Sequence, residues 1–226
     1  MIRKMVTVIV FSAAWSAYAE SKDAYPQMAP VDHYMMTRDA EIAMARTAAP
    51  KSISQDAEIL ILEAGGYSSA VAGKNGFVCL VMRSWAAGTD DPEFWNQKVR
   101  SPICVNGAAA RTYLPLIVKR TEWVLAGRTK AQILDSTKIA FDKKEFPAIE
   151  AGAMGYMMSK EQHLNDEAGH WHPHLMIYIP PADVSTWGVG LAGAPVFGFK
   201  EYLDRVTLFV VPVDKWSDGS DAAAKH

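Results

Sequence analysis

The sequence predicts a single α+β domain with a mainly antiparallel sheet of about five or six strands and about three helices. Three observations predict it. The periodic segments run in the order helix, strands, helices, strands, not in the strict alternation that builds a doubly wound parallel sheet. The strand-like runs are short and stand between turn signals such as Gly65-Gly66 and Asn75-Gly76. The chain that remains after an N-terminal leader is within the roughly 100–200 residues of one domain with its own core.

The leader comes first. Residues 1–19 carry Arg3 and Lys4, an apolar run from Met5 to Trp15, and Ala17-Tyr18-Ala19 as a small-x-small cleavage site, which reads as a secretory signal peptide. A membrane anchor would need about 20 uninterrupted apolar residues, and Ser12 and Ser16 interrupt a run already too short. No later stretch is long and apolar enough to span a bilayer, so a periplasmic or secreted bacterial protein is expected. Of 23 Lys and Arg against 25 Asp and Glu, only Arg3 and Lys4 fall in the leader, so the exported chain carries a net charge of −4. A weakly acidic chain without basic clusters excludes nucleic acid as the expected partner.

Residues 20–36 are polar and proline-punctuated and read as a flexible N-terminal segment; the domain is expected over 37–216, with 217–226 a C-terminal tail. Thr37 is the expected N-cap of a helix over "RDAEIAMARTAA", with Asp39 and Glu41 near the positive end of its dipole, and Pro50 ends it. An antiparallel meander of three strands follows, with "ILIL" (Ile59 to Leu62) first and "FVCLVM" (Phe77 to Met82) last. These two runs are apolar at successive positions, so both sheet faces should be covered. The segment "GTDDPEFWNQKVRSPIC" reads as a long loop anchored by Phe94 and Trp95 and tied down by a disulfide. Cys79 and Cys104 are an even pair in an oxidising compartment, and their bridge would be worth roughly 3 kcal/mol in the chain-entropy model.

A helix starting at Asn106 or Pro115 runs to Ala126, with an apolar stripe of Leu114, Ile117, Val118, Val124 and Leu125 and Gly127 just past its end. Thr129 with Gln132 three residues on forms a capping box for the next, which ends near Phe146 before Pro147. Strands follow at Ala153 to Ser159, His174 to Ile179 and Arg205 to Val213, and the glycine-rich "WGVGLAGAPVFGFK" between the last two reads as a surface loop.

The densest chemistry lies in "QHLNDEAGHWHPHLMIYIP", which holds four of the six histidines. On a strand, His170, His172, His174, Met176 and Tyr178 share one face, and Trp171, Leu175, Ile177 and Ile179 share the other, which reads as the core face. Alternate strand residues stand roughly 6.5–7 Å apart, close enough for two imidazoles to meet on one divalent ion such as zinc. Glu167 and His163 are the nearest further ligands. Pro173 works against regular strand geometry at His172, which would splay the rings. The chain holds no Gly-x-Ser-x-Gly nucleophile elbow, and its glycine-rich loop lacks the Lys-Ser or Lys-Thr ending of a phosphate cradle.

Along "KNGFVCLVMRSW", "PICVNGAAARTYLP", "GAMGYMMS" and "GHWHPHLMIYIP" the chain resembles a group of exported bacterial proteins, from about Asp39 to Gly219. The resemblance implies export and no particular activity. In that group the "PHLM" element with His174 is shared while His170 and His172 are often replaced, which weakens a three-His ligand set and shifts weight to His174 as a lone polar or structural residue. Two functions stay open. The favoured one is a non-catalytic periplasmic or secreted binding or envelope protein, holding a small molecule or an envelope partner through Trp171, Tyr178 and Trp187. The alternative is a metal-dependent periplasmic hydrolase in which His170, His172 and His174 hold the ion and activate a water.

Overall fold

Thr37 caps helix α1 (Arg38–Arg46) as its sequence requires, its Oγ1 accepting the Ala40 N–H at 3.4 Å. The computed structural model in which this is seen describes residues 24–201 and 203–222, so the leader expected at 1–19 lies outside the described residues. A one-turn helix α2 (Lys51–Ser54) follows Pro50 and leads into strands β1 (Glu58–Glu63), β2 (Gly66–Val71), β3 (Val78–Met82) and β4 (Ser101–Val105). Helices α3 (Gly107–Thr112), α4 (Leu114–Leu125) and α5 (Lys130–Asp142) come next. Strands β5 (Met154–Met157), β6 (His174–Ile179), β7 (Phe197–Glu201) and β8 (Val206–Pro212) complete the described elements.

The α+β architecture is as expected, with eight strands and five α-helices among the described residues in place of about five or six and about three. The extra strands are β4, inside the expected loop, and β7, inside the glycine-rich segment. The caps hold: Thr129 and Gln132 form their capping box, and Gly127 takes φ +76° past α4. Where one helix was expected after Cys104 there are two, because Asn106 caps α3 and Pro115 opens α4 at its second position.

One sheet runs β2-β1-β3-β4-β5-β6-β8-β7. The expected meander is corrected here: β2 hairpins back on β1, but β3 pairs with β1 on its other side and parallel to it. The connection from β2 to β3 therefore steps over β1 at Gly73, where a Cβ would lie 2.4 Å from the Glu58 nitrogen, so only glycine lets the two backbones pass.

Both faces of β1, β3 and β4 are covered. Ala45, Ala48 and Ala49 from α1 and its C-terminal turn pack on Ile59, Ile61, Cys79, Val81 and Cys104, while α3 and α4 cover Leu80, Met82, Ile103 and Val105. Cys79 and Cys104 stand directly opposite each other on β3 and β4 and are joined by the expected disulfide. Glu41, in the first turn of α1 as expected, is also buried: Arg83 Nη2 donates to both its carboxylate oxygens at 3.0 Å, and the Leu62 N–H donates to Oε1 at 3.0 Å.

The lead-in expected to be flexible joins the core by Tyr34. Its ring is fully buried, 4.8 Å from that of Trp85, and its hydroxyl donates to the Trp95 carbonyl at 2.8 Å. At the other end the Ser217 N–H donates to the Met158 carbonyl at 2.9 Å. Most helix contacts fall on β1 to β5, Tyr113 between α3 and α4 also packs with Met176, Tyr178 and Val206, and the sheet extends on through β6, β8 and β7.

Candidate functional site

Over that extended end of the sheet, on the α4 side, lies a cleft of about 670 Å³. Strands form its floor: Met157 of β5, His174 and Met176 of β6, and Leu208 and Val210 of β8. The loop after β3 and the loop before β6 wall it, the first with Asp90, Asp91 and Glu93, the second with Glu167 and Trp171.

Buried charge fixes the walls. Arg120 of α4 pairs with Asp204 just before β8 and donates to the carbonyls of Ala86 and Ala87 at 3.2 and 3.1 Å, so helix, first loop and β8 are tied at one point. Arg83 pairs with Glu41 and donates from Nε to the Tyr34 carbonyl at 2.8 Å and from Nη1 to the Val81 carbonyl. Asp166 gathers the second loop onto the first, accepting from Tyr25, Lys98 and Asn96 and contacting the His163 ring. Those hydrogen bonds, Tyr25 first and Lys98 second, hold its carboxyl well below the usual carboxylate range.

The three histidines separate. Residues 170–173 are not strand, because β6 begins only at His174, after Pro173. His170 is exposed, with its ring 6.1 Å from that of Trp216. His172 is half-buried and contributes its carbonyl, which accepts a hydrogen bond from His174 Nδ1 at 2.7 Å. His163 faces Asp166 at 3.2 Å, and its backbone bridges to that of Arg100, so it fastens one loop to the other. Among the described residues no three His, Cys, Asp or Glu side chains form a group that could hold a metal ion.

His174 alone reaches the cleft floor, and the expected face assignment of β6 is reversed. His174, Met176 and Tyr178 are the buried side of the strand, whereas Leu175, Ile177 and Ile179 are only half-buried. A carbonyl can only accept, so the Nδ1 contact makes Nδ1 the N–H of the ring, and burial lowers the imidazole pKa so that the ring is held neutral. Nε2 is then a lone-pair acceptor without a protein hydrogen-bond partner among the described residues. No hydroxyl, thiol or carboxylate hydrogen-bonds to His174 there, so the ring is oriented but is not coupled to a nucleophile.

Of the aromatic residues singled out by sequence, Trp171 belongs to this site, its ring 6.0 Å from that of His174. Tyr178 does not. It is buried against Tyr113, ring centroids 4.0 Å apart, and burial pushes its hydroxyl pKa well above 10. Trp187 does not either: it lies on Phe209, whose strand neighbours Leu208 and Val210 line the cleft, so it is on the reverse face of the sheet. Sequence reasoning missed Asp90, Asp91, Met157, Met176 and Asp204, which come from four separate segments; the run of acids in "GTDDPE" was the only local signal. No family model, no curated protein and no solved structure matches the chain.

Proposed function

We propose that the chain is an exported, non-catalytic binding protein that takes a small ligand into this cleft, with His174 as the polar contact at its floor. The observation that carries the reading is His174 on the cleft floor: a side chain only 3% exposed, whose ring is oriented through Nδ1 by the His172 carbonyl so that Nε2 is left as an acceptor. The cleft's apolar floor with a few convergent polar groups is the general form of a small-molecule site. Export is supported by the disulfide, which persists in oxidising compartments, and by the leader-like residues 1–19; no helix among the described residues is long and apolar enough to cross a membrane.

The test is ligand-observed and protein-observed NMR with a fragment library of mixed charge. Binders should move the His174 ring resonances, assigned by comparison with His174→Gln, and should lose affinity in Trp171→Ala. A library in which no compound perturbs that ring would remove the reading.

A further inference from the structure

We infer that the free edge of strand β7 is an interaction surface for a second copy of this chain, the two β7 strands pairing antiparallel about a two-fold axis so that the sheets of both copies run on into one. This goes beyond the cleft reading and does not depend on it. The sheet has two edges, and they are built differently. Strand β2 is blunted: Ala70 is an extra residue in its ladder with β1, the Ala70 carbonyl accepts from Arg38 Nη2 at 2.8 Å, and the strand carries Ser68 and Ser69. Strand β7 has none of these devices. Its five residues pair with β8 without a break in register, and among the described residues no backbone group of Phe197, Gly198 or Phe199 bonds outside that ladder. A row of N–H and C=O groups therefore faces outward, ready to accept another strand.

Side chains mark the same edge. Of the six large apolar side chains exposed among the described residues, four stand on β7 or in the loop that leads into it: Phe197 at 55%, Phe199 at 41%, Trp187 at 54% and Leu191 at 69%. Phe197 and Phe199 face Val210 and Leu208 across the ladder and so lie on the cleft side, whereas Trp187 lies on Phe209 on the reverse side, so the edge is apolar on both faces. Natural edge strands avoid this unless something covers them. Area makes a second copy a sufficient cover. The exposed parts of Phe197, Phe199 and Trp187 add up to about one and a half aromatic side chains, roughly 300 Å² per copy at about 200 Å² each. Two copies bring about 600 Å², and with Leu191 and the strand backbones the contact reaches roughly 1,000 Å², the lower limit of a specific interface. The strand is also self-complementary. Of the symmetric registers, one centred on Lys200 sets like charges opposite each other and one centred on Phe199 brings a single ring pair, whereas one centred on Gly198 sets Phe197 opposite Phe199 twice, with no side chain at the axis. Phe197 of the second copy then stands beside Phe199, which lines the cleft, and adds an aromatic side chain to its open side.

Sedimentation velocity on the unmodified protein reads the pairing: the weight-average mass should rise from one copy toward two between roughly 1 and 100 μM, as fits an interface at the lower size limit. Hydrogen exchange over the same range should slow at the amides of Phe197–Glu201 and stay unchanged at those of Gly66–Val71, a measurement that decides the matter even if a variant fails to fold. Phe197→Lys and Phe199→Glu, both at exposed positions, should each weaken the pairing about tenfold or more while leaving the melting temperature unchanged. Mixed in equal amounts, the two variants should pair again, because the register sets the introduced lysine opposite the introduced glutamate. A mass of one copy throughout the range, a dimer that both variants keep, or exchange slowed at β2 in place of β7 overturns the proposal. A single copy whose β7 amides slow only when an extended peptide of unrelated sequence is added assigns the edge to a different protein and overturns it equally. Variants that lose the dimer but do not pair when mixed overturn the register, and with it the place of the second copy's Phe197 at the cleft.

Discussion

Replacing Glu41 by Ala should destabilise the protein by about 3–5 kcal/mol, the usual cost of removing one partner from a buried ion pair. The structure sets the size. The Arg83 side chain is 0% exposed, and both its contacts from Nη2 go to the Glu41 carboxylate, so the substitution leaves a guanidinium charge in the core without its counter-charge. The Leu62 N–H loses its acceptor as well, an additional desolvation cost of roughly 1–3 kcal/mol for a buried polar group, partly overlapping the first. At about 2–4 °C per kcal/mol for a chain of this size, the melting temperature should fall by roughly 6–20 °C. Differential scanning calorimetry, with urea unfolding in parallel, reads it. The companion variant Glu41→Leu with Arg83→Met should recover most of the loss, because an apolar pair of similar volume removes both charges. A Glu41→Ala loss under about 1 kcal/mol, the range of exposed pairs, would refute the assignment of this pair as a buried structural element.

Two further expectations concern the histidines. Because the folded His174 has a lowered pKa, the unfolded chain takes up a proton that the native ring refuses: its contribution to stability is intact above the ordinary imidazole value of about 6.5, falls as pH drops through that value, and levels off once pH is below the folded value. The wild-type minus His174→Gln stability in urea unfolding from pH 8 to pH 5 isolates this segment of the curve and should shrink as pH falls; a difference that grows as pH falls instead would reverse the assignment of the buried ring as neutral. Zinc should leave the melting temperature of both wild type and His172→Ala unchanged, since the rings of His170, His172 and His174 do not converge; a zinc-dependent rise that His172→Ala abolishes would reinstate the metal reading.

What could be read in the sequence was local chemistry. Thr37, Thr129 with Gln132, and Gly127 act within one helical turn, so their caps were visible without any knowledge of the fold. Strand β4 was hidden because Pro102 sits within it; the proline is tolerated because β5 pairs with β4 only at Cys104 and Val105, leaving no ladder to complete on that side. Strand β7 was hidden by its glycine, yet Gly198 is needed there because a Cβ would stand 2.8 Å from Val189 Cγ2. The face of β6 was misread for a different reason. Leu175, Ile177 and Ile179 are apolar but only half-buried, and apolar residues at a surface are too common to identify a core. Trp171 and His174 were named as candidates, but their meeting with Asp90 and Met157 depends on which loops the Arg120–Asp204 and Asp166 contacts draw together, and those contacts join residues far apart in the chain.

The bridge between Cys79 and Cys104 does more than shorten the unfolded chain. The two residues are register partners on adjacent inner strands. A slip of one residue between β3 and β4 would turn one cysteine toward α1 and the other toward α4, on opposite faces of the sheet and out of reach of each other. Oxidation thus acts as a proofreading step: only a correctly aligned pair of strands closes, and a misaligned one keeps its thiols open to a further attempt. The loop between the two cysteines carries Asp90 and Glu93, so the same reaction that certifies the alignment of the sheet also commits one wall of the cleft to its place.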